Sequence, residues 1–222
     1  MGDNATPLDA MEYDAKIGKT IPYYAEFHKQ TIDLVKNMEY KKIHWLDTGC
    51  GTGVLAVKAA HEMKNAHFLL ADPSPEMIMQ ARRNTEGISA DFIVAGSGEL
   101  DFNNEFQVVT AVQSHHYMQR NEREKAVGNI YKALEAGGIF ICFENIIPDT
   151  EYVKELELKR WGKYQLLNGK SEKEVAMHKA RYGINYFPIR VNEHCNLLTE
   201  LGFRYVNVLW LSYMQMGIYG IK

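Results

Sequence analysis

The sequence predicts an α/β fold built on a doubly wound, mostly parallel sheet. Short apolar runs alternate with helix-like segments through the middle of the 222-residue chain, a pattern typical of a parallel sheet with helices on both faces. Polar residues directly follow several of these apolar runs. Because such sheets bind ligands beyond the carboxyl ends of their strands, these polar residues are the first candidates for a functional site.

Five strands and three helices account for the alternation. The predicted strands are the apolar runs 42–47, 66–72, 91–96, 106–113 and 137–146. The predicted helices, which have apolar residues at helical spacing or capping signals, are 54–63, 74–84 and 121–134. Ser74 followed by Pro75 indicates the start of the second helix, and Asn121 is the predicted N-cap of the third.

After residue 147 the strand–helix alternation ends. Residues 150–182 predict mostly helix, and 190–203 predict a further helix that ends at Gly202. The last two segments, 204–213 and 214–222, predict a closing hairpin of two strands.

The segment 150–190 has an excess of positive charge, with nine Lys or Arg against five acids. One interpretation is a solvated helix face. The other is a lid, or a partner surface, for an anionic substrate. The predicted apolar face of this segment consists of Val153, Leu156, Tyr164 and Leu167.

The composition fits a single domain, 1–222, with a full-sized core: 46% of the residues are hydrophobic. A net charge of −3 and a pI of about 6.2 give no general attraction to nucleic acid or anionic membranes. Cys50, Cys142 and Cys195 form no motif, the first 16 residues contain no apolar run, and no apolar stretch is long enough to span a membrane. A cytoplasmic protein is expected.

The segment LDTGCGTG at 46–53 is a glycine-rich loop after the first strand, and two kinds of cofactor fit it. Gly51-x-Gly53-x-x-Ala56 followed by Asp72 satisfies a dinucleotide fingerprint. Asp47 argues against it, because a carboxylate there would repel a pyrophosphate. S-adenosylmethionine (SAM) carries an ammonium and a sulfonium instead and suits an acid. Asp72 would accept hydrogen bonds from ribose hydroxyls in either case.

Five segments taken together resemble the class I SAM-dependent methyltransferase family. They occur in the family's order and are LDTGCGTG, LLADPSPEM (69–77), VAGSGEL (94–100), FQVVTAVQSHHYM (106–118) and ALEAGGIFICFEN (133–145). The resemblance implies a Rossmann-like, seven-stranded sheet whose last strand runs antiparallel between strands five and six. It also implies N-terminal cap helices within 1–40 and a helical lid inserted after strand five, at 148–190.

The same resemblance implies the residues that bind the cofactor. They are Tyr13, Asp47, Gly49, Cys50, Gly51, Asp72, Pro73, Met77, Gly96, Ser97, Gly98 and Gln113. Gln113 is expected to use its backbone carbonyl. The family often has an acid where this chain has Ser97, so the Ser97 hydroxyl is expected to bond the adenine amino group.

A narrower resemblance links the chain to the carboxy-SAM synthases of wobble-uridine modification. It rests on YDAKIGKTIPYY (13–24), the helical insertion and HKAR (178–181). In those synthases an arginine of the insertion holds an extra carboxylate, and Arg181 is the candidate here. Tyr13 is implied near the SAM carboxylate and Tyr24 near the substrate, with ordinary packing of a covering helix as the alternative.

The candidate catalytic residues follow strands four and five. Methyl transfer needs a base only if the acceptor loses a proton. Neighbouring strand residues point in opposite directions, so at most one of His115 and His116 should face the ligand. His115 is the preferred base or substrate contact, and His116 has an implied scaffold role. Glu144 is a third candidate that either faces the acceptor or caps a helix. No metal site is expected.

These observations predict an enzyme that transfers the SAM methyl group to a small molecule and releases S-adenosylhomocysteine. The alternatives are a carboxy-SAM synthase-like enzyme, an NAD-dependent oxidoreductase and a non-catalytic SAM-binding protein. Neither nucleic acid nor membrane is an expected partner, and a homodimer stays open. The acceptor atom is not specified by the sequence.

Overall fold

The computed structural model describes residues 11–222, which form a seven-stranded sheet with helices on both faces. The strands are β1 (Ile43–Thr48), β2 (Ala66–Asp72), β3 (Ala90–Val94), β4 (Phe106–Val112), β5 (Leu134–Asn145), β6 (Tyr205–Ser212) and β7 (Gln215–Ile221). The helices are α1 (Tyr13–Thr20), α2 (Tyr24–Asn37), α3 (Val54–Glu62), α4 (Pro75–Asn84), α5 (Arg120–Ala133), α6 (Glu151–Leu167), α7 (Glu172–Ala180) and α8 (Val191–Glu200). Within this range, no helix is long and apolar enough to cross a membrane.

The strand order is β3-β2-β1-β4-β5-β7-β6. The first five strands pair in parallel, and β7 is antiparallel to both β5 and β6. The prediction of a closing hairpin, with the last strand between strands five and six, is confirmed. The chain direction across the sheet reverses between β1 and β4, and in open α/β sheets ligands bind at such a switch point.

Local capping explains where α4 and α5 begin. Ser74 Oγ accepts a hydrogen bond from Met77 N at 3.1 Å, which confirms the predicted start of α4. The prediction for α5 is wrong by two residues, since the N-cap is Gln119 and Asn121 lies inside the first turn. Gln119 N donates to the Glu122 carboxylate at 2.8 Å, and this glutamate fixes the helix start.

The core is divided by the sheet into two apolar clusters. One contains Trp45, Phe68 and the stacked pair of Phe27 and Phe143, whose ring centroids are 4.7 Å apart. The other lies under α5 and α8 and includes Phe140. The Phe27–Phe143 stack attaches α2 to β5, so the N-terminal helices are held next to the strand ends that form the site.

The insertion after β5 consists of α6 and α7, and its buried face differs from the predicted one. The predicted apolar face is wrong, because Val153, Leu156 and Leu167 are exposed. The buried residues of α6 are Trp161, Gly162 and Gln165. The apolar residues of α6 do not reveal this face, because its partner is the end of another helix, and the face donates hydrogen bonds to the carbonyl groups of that end.

That partner is the C-terminal end of α1. Trp161 Nε1 donates to Thr20 O at 2.6 Å, and the Tyr164 hydroxyl donates to Gly18 O at 2.8 Å. Gln165 Nε2 also faces Thr20 O, at 3.4 Å. These donors satisfy carbonyls that the end of a short helix leaves unpaired. The insertion therefore holds α1 in place over the carboxyl ends of the strands.

Gly217 provides a test of this packing. It lies opposite Phe143 in the β5–β7 pair, and a Cβ at this position would be 2.4 Å from Cε1 of the Phe143 ring. We expect Gly217→Ala to lower the free energy of unfolding by roughly 1–3 kcal/mol, because the ring cannot move without disturbing its stack on Phe27. Denaturant titration measures this change.

Gly18→Ala is the matched control. Gly18 lies in α1, and a Cβ there has no neighbouring atom within 4 Å. Its unfolding free energy should stay constant or rise by up to about 1 kcal/mol, as for glycine replacement in a helix. Equal losses in the two variants would contradict the packing described for Phe143.

Candidate functional site

The glycine-rich loop turns immediately after β1. Gly49 N and Cys50 N both donate to Ala71 O, at 2.7 and 3.0 Å, so the loop is tied to the end of β2. Gly49 has a φ of +69°, and a Cβ there would be 2.5 Å from Cβ of Ser114. A side chain at this position is excluded both by conformation and by space. The loop backbone can therefore lie directly against the end of β4.

A cavity of about 480 Å³, the loop cavity, opens between this loop and the ends of β2 and β4. Ten of the predicted cofactor residues line it: Tyr13, Gly49, Gly51, Asp72, Pro73, Met77, Gly96, Ser97, Gly98 and Gln113. Sequence reasoning missed Glu99, Val112, Ser114, Tyr117, Met118, Glu122 and Lys125. Most of the missed residues lie after strand ends, where position in the chain gives no side-chain direction.

Asp72 lies at the end of β2 with its carboxylate oriented by two backbone groups. Gly51 N donates to Oδ2 and Ser74 N donates to Oδ1, both at 2.9 Å. The loop and the start of α4 thus fix the position of this carboxylate at the cavity wall. A carboxylate held in this way can still accept further hydrogen bonds from a ligand.

Asp47 and Cys50 line a smaller cavity, and Gly49 and Gly51 of the glycine-rich loop line this cavity as well. The Asp47 side chain is only 2% exposed, and its Oδ1 accepts from the Thr110 hydroxyl at 2.6 Å. Burial raises the pKa of Asp47 to about 7; the Asp72 carboxylate adds to the rise, and the Thr110 hydrogen bond opposes it. A cationic ligand group would relieve this unfavourable charge.

The Ser97 hydroxyl contacts two side chains inside the protein. It pairs with Thr48 Oγ1 at 2.6 Å and with His115 Nε2 at 3.0 Å, and the residue is 3% exposed. Both partners lie inside the protein, while Ser97 itself is part of the wall of the loop cavity, so the bond to adenine stays a prediction. The carboxylate at this wall comes from Glu99, which accepts from Gly96 N at 2.7 Å. The sequence contains one sign of this role, since Glu99 follows Ser97 by only two residues.

The two adjacent histidines do not alternate as strand residues would. His115–Tyr117 form a short 3₁₀ helix, and both histidines are at most 2% exposed. His115 bonds to Ser97, and burial lowers its pKa to about 4. His116 is the one of the pair that lines the lid cavity described below. The structure therefore corrects the preference for His115 as the substrate contact.

Glu144 fixes this 3₁₀ helix from the end of β5. Its Oε1 accepts from His115 N at 3.0 Å, and its Oε2 accepts from His116 N at 2.8 Å and pairs with His116 Nδ1 at 2.7 Å. Burial disfavours the charged form, but the His116 hydrogen bond and the Coulombic interactions with His116, His115 and His194 together outweigh burial and lower the pKa of Glu144 to about 2. The side chain is fully buried, so the capping alternative holds and direct contact with an acceptor does not.

A second large cavity of about 450 Å³, the lid cavity, lies between α1, the strand ends and α7. It shares Tyr13, Gln113 and Tyr117 with the loop cavity. Within residues 11–222, the charged side chains that line it are those of Lys16, Lys170, Arg181 and Glu174, and Lys16 also pairs with the Glu12 carboxylate. The predicted substrate residue Arg181 therefore lies in a positively charged cavity next to the candidate cofactor site.

Tyr13 is the one predicted residue that lines all three cavities. Its hydroxyl is hydrogen-bonded to that of Tyr24, and burial raises the pKa of Tyr13 well above its usual value. Next to it on α1, Asp14 accepts from the Thr52 hydroxyl at 2.7 Å, which ties the helix to the glycine-rich loop. The N-terminal segment thus covers the site, with Tyr24 contributing to the wall near Asp47.

The loop cavity fits SAM. Its volume is in the range of small-molecule sites. Gly51 has open space where a side chain would be, and Asp72 can accept from ribose hydroxyls. The Ser114 hydroxyl is buried and has no hydrogen-bond partner among residues 11–222, so a ligand group can pair with it. Asp47 supplies negative charge beneath the loop. In the same range, no three His, Cys, Asp or Glu side chains group as metal ligands.

Comparison with known proteins agrees with this site. Residues 46–138 match the family described as methyltransferase domain. The carboxy-S-adenosyl-L-methionine synthase of Nautilia profundicola is 24% identical over 203 residues, covering 90% of this chain and 86% of the relative. The synthase of Staphylococcus epidermidis is 24% identical over 215 residues, covering 96% and 93%.

Solved structures share the fold. A SAM-dependent methyltransferase from Leishmania major has a TM-score of 0.69 at 13% identity, covering 97% of this chain and 79% of that one. The YcgJ protein of Bacillus subtilis has a TM-score of 0.65 at 14% identity, covering 88% and 98%. The fold and the site resemble those of the class I SAM-dependent methyltransferases. This chain is an enzyme that contains a methyltransferase domain and uses SAM as its cofactor, and it resembles the carboxy-SAM synthases.

Replacing Asp47 tests the electrostatics of the site. The unfolded carboxyl ionises near 3.8 and the folded one near 7, so the unfolded state binds fewer protons between these values and stability falls as pH rises through them. Asp47→Asn cannot ionise and keeps an acceptor for Thr110. The unfolding free energy of Asp47→Asn minus that of the natural protein should therefore become more positive from pH 4 to pH 8, by up to about 4 kcal/mol.

The measurement is denaturant unfolding of both proteins without ligand at several pH values. A stability difference that does not change between pH 4 and pH 8 would mean that the Asp47 carboxyl has an ordinary pKa.

Proposed function

We propose that the enzyme transfers the methyl group of SAM to a small anionic molecule bound in the lid cavity. The observation that carries the proposal is the junction of the two cavities at Tyr13, Gln113 and Tyr117. A cofactor on one side of this wall and an acceptor on the other would meet there. When bound, SAM supplies an electrophilic methyl group on a sulfonium that leaves readily.

The loop cavity would hold the cofactor through groups on three strand ends. Asp72 would accept from the ribose hydroxyls, and Pro73 and Met77 would pack beside the base. Asp47 and the unpaired Ser114 hydroxyl would serve the amino-acid end. Gln113 has a φ of +56°, a conformation that any residue other than glycine adopts rarely, and its strained backbone lies on the cavity wall. Strain of this kind is concentrated at functional sites.

The lid cavity would orient the acceptor. Arg181 and Lys170 would bind a carboxylate or phosphate group, and the Asn145 side chain provides a polar group at the end of β5. Lys170 is 3.8 Å from Glu174, which partly offsets its charge. Alignment of two reactants in adjoining, covered cavities can contribute much of the rate of such a transfer.

A carboxy-SAM synthase-like activity is the second candidate. Two observations favour it: relatives of that name align with 90% or more of the chain, and Arg181 lies in the cavity next to the cofactor site. In that case the same cations would hold a carboxylate attached to SAM itself. A small-molecule substrate is the only partner that either candidate requires. A cytoplasmic setting is part of the proposal, supported by three free cysteines.

The mass of the ligand that co-purifies with the natural protein separates the two candidates. SAM or S-adenosylhomocysteine, together with transfer of labelled methyl to small molecules of a cell extract, supports the methyltransferase. Carboxy-SAM without labelled products supports the second candidate. Neither ligand and no labelled product would refute both.

Arg181→Ala tests the role of the lid cavity. We expect KM for the labelled acceptor to rise roughly 10- to 100-fold, because a charge-assisted hydrogen bond contributes about 1.5–3 kcal/mol. Affinity for S-adenosylhomocysteine, measured by calorimetry, should change less than about twofold. Arg204→Ala, which removes an exposed arginine from the start of β6, is the matched control and should change neither quantity. An unchanged KM in Arg181→Ala would remove this residue from the acceptor site.

A further inference from the structure

We propose that His116 is the general base that takes a proton from the acceptor, with Glu144 as the residue that positions its ring. The inference rests on the methyl transfer proposed above and deepens it. It restricts the acceptor to a group that loses a proton on methylation, such as a hydroxyl, thiol or amine, on a molecule whose anionic end binds the cations of the lid cavity.

The contact with Glu144 fixes the tautomer of the His116 ring. Glu144 Oε2 lies 2.7 Å from Nδ1, and the same carboxylate accepts two backbone N–H groups, so its position is fixed. A pKa near 2 keeps this carboxylate ionised at neutral pH. An ionised carboxylate can only accept, so Nδ1 carries the hydrogen. Nε2 is then left with the lone pair that a base requires.

The other ring nitrogen, Nε2, belongs to a residue on the wall of the lid cavity. His116 lines this cavity, and within residues 11–222 its Nε2 atom makes no hydrogen bond. Nor is Nε2 among the fully buried polar atoms that lack a partner in that part of the chain. The atom therefore keeps some accessible surface, although the residue as a whole is only 2% exposed.

Neighbouring aromatic rings hold the His116 ring in place. The Tyr117 ring lies 4.3 Å from the His116 ring, and the Tyr186 ring meets it edge-on at 5.9 Å. Phe187 N donates to His116 O at 2.6 Å, which attaches the backbone to the segment after α7. Tyr117 and Tyr186 also line the lid cavity, so the base is part of its wall.

Charged and titratable groups lie around the His116 ring on β5, α5, α7 and α8. Glu144 faces it from β5. Burial lowers the pKa of His178 on α7 and of His194 on α8 to about 4, so both are neutral at neutral pH. Arg123 on α5 donates to His115 O, Met118 O and Phe187 O and is the cation nearest this segment from that helix. The carboxylate on Nδ1 is placed to stabilise an imidazolium.

The proton and charge balance is simple. The acceptor's lone pair bonds to the methyl carbon while the carbon–sulfur bond breaks and its electron pair stays on sulfur. The acceptor's proton moves to Nε2. The positive charge lost from sulfur therefore appears on the imidazole, where Glu144 stabilises it. His116 later releases the proton to water, and no other reactant is needed.

Two reactions with different proton requirements test the proposal. Methylation of 4-hydroxybenzoate or 3-mercaptopropionate, or of the labelled acceptor from extract, removes a proton. Methylation of S-adenosylhomocysteine by methyl iodide removes none, because a thioether attacks and iodide leaves. His116→Gln should lower kcat of the first reaction about 100-fold or more and leave the second within about threefold. The residual rate of His116→Gln in the first reaction should rise with pH, because an acceptor that has already ionised needs no base.

His115→Gln is the matched comparison, because it removes the neighbouring histidine of the same 3₁₀ helix. A structural disturbance of this segment should affect both reactions by the same factor. Equal losses in His116→Gln would therefore overturn the base and leave the methyl transfer standing. Failure of the natural enzyme to methylate any acceptor, although it binds S-adenosylhomocysteine, would instead refute the proposed function and the base with it.

The tautomer of the His116 ring can be measured directly by NMR, without any methyl transfer. In ¹H–¹⁵N spectra of the imidazoles, the signals absent from His116→Gln belong to His116, and they should show hydrogen on Nδ1 at neutral pH. Glu144→Gln removes the charge but keeps an acceptor, so it should mix the two tautomers of the His116 ring and lower the plateau rate. Hydrogen on Nε2 in the natural protein would overturn the proposal.

Discussion

The buried carboxylate of Glu144 is the constraint on which both halves of the site depend. A charge with no exposure persists only if its hydrogen-bonding capacity is used, and here two backbone N–H groups and one imidazole use it. The 3₁₀ helix after β4 is thereby fixed to the end of β5. This places His116 in the lid cavity and turns His115 toward Ser97, which also bonds Thr48. One side chain thus joins the ends of three strands and the loop after β3.

The covering helix α1 is held differently, mainly by polar contacts at its two ends. Asp14 bonds the glycine-rich loop, and the carbonyls of Gly18 and Thr20 accept from the insertion. Ile17 is the buried apolar residue of this helix. Each hydrogen bond contributes only about 1 kcal/mol net, so a segment with one buried apolar side chain opens more easily than the sheet. Ligands can thus enter while the strand ends stay in place.

The sequence predicted most of the sheet because buried parallel strands are read as continuous apolar runs, and Ser74 with Pro75 marked α4 correctly. It failed where direction depends on tertiary partners. The alternation rule did not apply to His115 and His116 because that segment is a 3₁₀ helix. The exposed Leu156 and the buried Trp161 of α6 reflect hydrogen bonds to α1 that no helical period reveals. Cofactor residues were easier to place because loop backbones and strand ends, more than side chains, build that cavity.

The two cavities differ in charge, and this difference gives the proposed reaction its direction. In the described part of the chain, three carboxylates and one ammonium line the loop cavity, those of Asp72, Glu99, Glu122 and Lys125, and Asp47 is buried beneath the loop. The lid cavity has the opposite balance. A cationic cofactor would be disfavoured in the lid cavity and an anionic acceptor in the loop cavity, since misplaced like charges weaken binding. In the proposed reaction each molecule would therefore be directed to its own side of the Tyr13–Gln113–Tyr117 wall, where the reacting groups would meet and where His116 would receive the proton.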